Sequence, residues 1–165
     1  MLSMEDICKD IFHENAGSIK IKKEKIVLKN LVNIFNATLK LSTKKGFRAM
    51  SVRELSRETG LSMGALYSYF NGKEKLLDMI QHQGMRLTKK ILHDQIAKEP
   101  EARQKLRTAI RTHLYLSEAL HLWFYMAYME ARNLSRRLQK QAIDNELYTE
   151  KIFSDILEEG RNNGV

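Results

Sequence analysis

The stretch Met50–Ile80, MSVRELSRETGLSMGALYSYFNGKEKLLDMI, decides the fold. Its spacing predicts two short helices, a tight turn between them, and the start of a third. Ser51 opens the first helix with Glu54 three residues on. That is a capping box, in which the hydroxyl accepts from one free amide and the carboxylate reaches back to another. Val52 and Leu55 supply the inward face of this helix. Gly60 falls where a left-handed residue closes a helix, a conformation that strains any side chain. Leu61 plugs the angle between the helices, and Ser62 caps the second. From that second helix Leu66 and Phe70 point one way, leaving Met63, Tyr67 and Ser68 for the other. Two short helices around a Gly-containing turn are the helix-turn-helix signature, whose second helix enters the DNA major groove. The same pattern also builds all-helical proteins that touch no DNA, so it needs independent support.

Charge supplies that support. The 165 residues carry a net charge of +8. Residues 22–91 hold 15 basic and 5 acidic side chains, residues 92–165 hold 11 of each, and residues 1–21 hold 2 basic and 4 acidic. The whole positive excess therefore lies in the segment that contains the helix-turn-helix, the electrostatic footprint of nucleic-acid binding. A basic face that serves only solubility is the competing explanation. One proline and eight glycines in a Leu-, Lys-, Glu-, Ile- and Met-rich chain favour an all-α protein. No apolar run reaches the roughly 20 residues of a membrane span. Glu5, Asp6 and Asp10 argue against a secretory signal, and the lone Cys8 fits a reducing compartment, so a cytoplasmic location is expected.

Around the motif, residues 22–45 show strong helical periodicity through Leu28, Leu31, Ile34, Phe35, Thr38, Leu39 and Ser42, with Gly46 as the stop. Asn71 and Glu74 have the spacing of a second capping box, opening a long helix to about Lys98 that Pro100 ends. Glu101–Glu118 and Ser135–Glu159 read as amphipathic helices. Between them ALHLWFYMAYM, Ala119–Met129, is apolar almost all round and is expected to be buried. Residues 1–21 form an N-terminal extension, with Met4, Ile7, Ile11 and Phe12 at one-turn spacing and His13 as a surface residue.

The run Ser51, Leu55, Gly60, Ser62, Gly64, Leu66, Tyr67, Phe70, Lys73, Glu74 and Leu76 resembles the DNA-binding segment of the tetracycline-repressor (TetR) family of bacterial regulators, position for position without a gap. Ser56 and Thr59 stand where that family usually has alanine, Leu61 where it prefers valine, and Tyr69 where it often has histidine. The resemblance implies a head over residues 22–75, a helical ligand-binding and dimerisation body over residues 76–165, and a ligand-responsive dimer on palindromic DNA, more often a repressor than an activator. It also implies that Ser51, Tyr67, Tyr69 and Lys73 hold phosphates; Arg48 and Arg53 are added on charge and position. The tip of the second helix offers Ser62, Met63, Ala65 and Ser68, without the Arg, Asn or Gln that read G or A bidentately. Contacts from Met63 and Ala65 to thymine methyls, with much left to DNA shape, are therefore expected. Gly64, at a cost of about 1 kcal/mol against alanine in a helix, implies either a close approach there or tight packing on the preceding helix.

For the body, the resemblance implies a pocket for a small lipophilic effector with one polar end. The candidate lining is Met85, His113, Leu116, Leu120, Phe124, Tyr125, Tyr128 and Met129, set against a plain core or dimer interface. His113 and His121 have no third ligand at suitable spacing, so no metal is expected, and no cofactor. The ending EEGRNNGV resembles the close of a late helix, after which chains of that family continue with one or two further helices that form much of the dimer interface. Two alternatives stay open: a chain incomplete at its C-terminus, or a body that dimerises by other surfaces. No phosphate loop, nucleophile elbow or metal-protease pair points to an enzyme. The alternative is a helical protein–protein interaction module built on the apolar 119–129 surface, which predicts no salt-dependent DNA affinity.

Overall fold

The computed structural model describes residue 19, residues 23–129 and residues 135–164. Among them are seven helices: α1 Glu24–Lys45, α2 Val52–Thr59, α3 Met63–Leu66, α4 Lys73–Ile96, α5 Ala102–Ala119, α6 His121–Met129 and α7 Arg136–Asn162. The short amphipathic turn read around Met4–Phe12, and His13, lie outside the described residues.

α1 forms because its apolar residues recur along one face; Val27, Leu28, Leu31, Ile34, Phe35 and Leu39 are all buried. It stops at Gly46, φ 81°, whose amide donates to the Ser42 carbonyl at 2.8 Å. Across that face lies α2, which the expected box opens: the Glu54 amide donates to Ser51 Oγ at 3.2 Å, and the Ser51 amide to Glu54 Oε2 at 2.9 Å. Gly60 closes α2 in the left-handed region, φ 71°.

Three local readings are corrected. α3 is one turn, not a helix reaching Phe70: the Tyr69 amide donates to the Leu66 carbonyl at 2.9 Å, tightening the chain after Leu66. The Asn71–Glu74 box is absent, because Gly72 (φ 152°) takes the N-cap position and no side chain caps α4. The apolar run of α6 is not buried all round. Trp123 and Met126 face inward, whereas Tyr125, Tyr128 and Met129 are exposed.

Two cores result. The larger joins Leu31, Leu55, Leu66, Phe70, Leu76 and Ile80 to Trp123, Met126 and Leu138, so the apolar interior of the head continues into α6. Ile19 also lies in it. The smaller, with Leu92, Ala109, Leu116, Ile152 and Ile156, holds the far end of α4 to α5 and α7. One closure is unusually tight. A Cβ on Gly84 would sit 2.0 Å from Trp123 Cε2, and the indole Nε1 donates to the Ile80 carbonyl at 3.1 Å. The indole of α6 therefore lies in a notch on α4 that only glycine leaves open.

Candidate nucleic-acid interface and body cavity

The helix-turn-helix is held by bonds from its own hydroxyls. Ser56 Oγ donates to the Leu61 carbonyl at 2.6 Å, and Thr59 Oγ donates to the Leu55 carbonyl at 2.7 Å while accepting from the Leu61 amide at 3.3 Å. Two positions that depart from the usual alanines thus brace the turn from both sides. Asn33 Nδ2 donates to the Thr59 carbonyl at 2.8 Å, and the pairs Lys40–Glu58 and Lys45–Glu54 tie α1 to α2. The Lys45 ammonium, then the Ser51 amide and hydroxyl, hold the Glu54 carboxyl down at about 2 from an ordinary 4.5.

With the motif fixed, most of the predicted DNA-facing residues are exposed. Arg48, Ser51, Arg53, Ser62, Met63, Gly64 and Tyr67 are exposed, and Ala65 and Ser68 half-buried. Ser62 Oγ accepts from the Ala65 amide at 3.1 Å, and Ser68 Oγ donates to the Gly64 carbonyl at 3.1 Å. Nothing lies within 4 Å of a Cβ built on Gly64, so the fold itself does not require glycine there. The Lys73 ammonium donates to the Arg48 carbonyl at 2.9 Å and lies 5.1 Å from the centre of the Phe47 ring. That fixes a positive charge beside Arg48.

Tyr69 is a correction. Its side chain is fully buried, its hydroxyl accepts from Asn30 Nδ2 at 2.7 Å, and burial pushes that hydroxyl above its ordinary pKa. It fastens the motif to α1 and does not reach the exposed face. The sequence signal for this is present but weak: Tyr69 directly precedes the inward Phe70, and only the single-turn α3 rotates both toward the core.

In the body, a cavity of about 830 Å³ opens between α4, α5, α6 and α7. Of the predicted lining, Met85, His113, Phe124 and Tyr128 are in its wall. Leu116 instead belongs to the smaller core, Leu120 lines a separate cavity of about 160 Å³ beside Gly84, and Tyr125 and Met129 point outward. The reason is rotation: an apolar-all-round helix gives no sign of which side turns inward. The polar half of the wall escapes sequence reasoning, notably Gln81, Thr88, Asn145, Glu146 and Glu150. Gln81 Nε2 and His113 Nδ1 are buried without a hydrogen-bond partner among the described residues. No group of three His, Cys, Asp or Glu that could hold a metal ion is found among those residues, and no helix there is long and apolar enough to cross a membrane.

Residues 34–80 match the family model of bacterial regulatory proteins, tetR family. The chain is similar to the fatty acid metabolism regulator protein of Bacillus subtilis (strain 168), 24% identical over 135 residues that cover 81% of this chain and 69% of that protein. It is also similar to the uncharacterized HTH-type transcriptional regulator YerO of the same organism, 39% identical over 56 residues, 34% of this chain and 17% of that one. Among solved structures, the TetR family transcriptional regulator PfmR from Thermus thermophilus superposes with a TM-score of 0.73 at 26% identity, covering 80% of this chain and 72% of that chain. A bacterial regulatory protein in the tetR family from Rhodococcus RHA1 shares the fold, with a TM-score of 0.75 at 24% identity over 82% of this chain and 72% of that chain.

Proposed function

The chain belongs to the TetR family of transcriptional regulators, and from that premise we propose that it is a repressor that grips palindromic operator DNA as a dimer and lets go when a small molecule fills the body. Residues 22–75 serve as the head and residues 76–165 as the regulatory body. The observation that carries this reading is the bare face at Ser62–Tyr67, where Gly64 has open space above it in the most basic part of the chain. A DNA backbone has room to come close there; Arg48, Arg53 and Tyr67 are exposed in the same head, and Lys73 is anchored on the Arg48 carbonyl. Phosphate neutralisation sets affinity and orientation; Met63 and Ala65 supply apolar contact to thymine methyls, and DNA shape supplies the rest.

One contact supports a route to release. Trp123 lines the 830 Å³ cavity and also rests in the Gly84 notch of α4, the helix that leaves the head. An effector that shifts the indole thereby shifts α4. Two heads that must span one helical turn of DNA, or a multiple, lose both half-sites together when their spacing changes. Binding to the chain's own promoter DNA, measured against salt, tests the reading. Tyr67→Ala and Lys73→Ala should each weaken binding to every sequence, and loss of the Lys73 charge should also lower the salt slope by about one. Unchanged binding in both variants removes those assignments. DNA affinity that is absent, or indifferent to salt, returns the chain to the interaction-module alternative.

A further inference from the structure

The larger cavity has an electrostatic character that the apolar lining predicted from sequence does not convey. Its aromatic faces come from Trp123, Phe124 and Tyr128 on α6 and from Phe153 on α7. Phe124 and Tyr128 are stacked, 6.2 Å between centres and 19° between planes. His113 stands edge-on to Phe124 at 6.0 Å and to Phe153 at 6.2 Å. Facing them, Glu146 and Glu150 are one turn apart on α7, so they share a side of that helix. Both are exposed at the mouth, and neither forms an ion pair among the described residues.

Among the described residues, no lysine or arginine is in the wall. Lys89, next to Thr88 on α4, donates to Asn145 Oδ1 at 3.2 Å and lies 4.0 Å from the centre of the Tyr148 ring. Partial burial raises the pKa of the Tyr128 hydroxyl, and the Glu146 carboxylate adds to the rise. A chain of net charge +8 thus sets two carboxylates in the described wall of its body cavity. An anionic occupant meets two like charges there, and a neutral one leaves the carboxylates unused. A cation uses both resources, since aromatic faces and carboxylates attract the same charge.

We propose that the effector is a lipophilic organic cation, a quaternary or protonated amine on an apolar body. Its positive centre sits between the Tyr128 ring and the Glu146–Glu150 pair, and its body lies against Trp123, Phe124 and Phe153. The unpartnered nitrogens of Gln81 and His113 meet any polar substituent that reaches the inner wall. This inference rests on the reading of the cavity as the effector site.

The only tryptophan of the chain is Trp123, so its fluorescence reports occupancy directly. Three twelve-carbon probes that differ only in the head group, dodecyltrimethylammonium, dodecanol and laurate, are titrated into the full chain well below their aggregation concentrations. The cation is expected to bind at least tenfold more tightly than the other two. Glu146→Gln with Glu150→Gln should cost the cation tenfold or more and leave dodecanol within about twofold; each single change, at an exposed position, should cost about threefold. Equal or tighter binding of laurate or dodecanol, or cation binding indifferent to both glutamines, overturns the cation inference and leaves the effector cavity standing. A Trp123 signal that answers none of the three overturns both.

Discussion

Gly84→Ala is the most searching perturbation of the contact between α4 and α6. The new methyl would lie 2.0 Å from Trp123 Cε2 and 2.1 Å from Nε1. Ordinary contact begins near 3.4 Å, so the indole must retreat by about 1.4 Å or rotate. Overpacking of this kind costs about 1–3 kcal/mol. Retreat also breaks the Nε1–Ile80 carbonyl bond of 3.1 Å, a loss of about 1 kcal/mol for a buried donor. Against this, alanine is favoured over glycine in a helix by about 1 kcal/mol. The balance is a destabilisation of about 1–3 kcal/mol, or a fall in Tm of about 2–12 °C for a chain of this size. Thermal unfolding followed by circular dichroism measures it, with Trp123 fluorescence as a second probe. On a Trp123→Leu background the same substitution should become neutral or stabilising, because the clash is gone and only the helix preference remains. A Tm that rises in Gly84→Ala with Trp123 in place would refute the notch as a close contact. Equal effects in the two backgrounds would do the same.

Other expectations separate folding from binding. Gly64→Ala should leave the melting temperature unchanged or slightly raised, since its methyl meets nothing within 4 Å, while promoter affinity in a gel-shift titration falls tenfold or more. Tyr69→Phe should behave in the opposite sense: losing the bond to Asn30 costs about 1 kcal/mol in urea unfolding, and the salt slope of DNA binding stays that of the parent. Glu54 has a folded-state pKa of about 2 against an ordinary 4.5, so its stabilisation is fully present above pH 4.5 and is lost as pH falls toward 2. Glu54→Gln should therefore flatten that part of the acid-unfolding curve, read as stability at stepped pH, and a curve of unchanged steepness would remove Glu54 as its source.

Much of the molecule is legible in the sequence because its signals are local. The Ser51–Glu54 box, the left-handed Gly60, the Ser62 cap, the Gly46 stop and the buried face of α1 all depend on residues within a turn or two of each other. The exposed row from Ser62 to Tyr67 follows from the same periodicity. The misreadings have local causes as well. Asn71 has the spacing of a cap but yields that position to Gly72, and the apolar run of α6 carries no period from which to choose an inward side.

By itself the sequence determined an all-helical chain, the order of most of its helices, the helix-turn-helix and the placement of excess positive charge upon it, because capping, periodicity and charge are properties of near neighbours. Only the tertiary structure decided the rest. Tyr69 meets Asn30 across 39 positions, and Trp123 meets Ile80 across 43. The cavity exists only where α4, α5, α6 and α7 converge, and its glutamates share a wall with aromatic rings that no local pattern connects to them. Such contacts are set by how whole helices rotate and cross to fill a common core, which no single stretch of chain specifies.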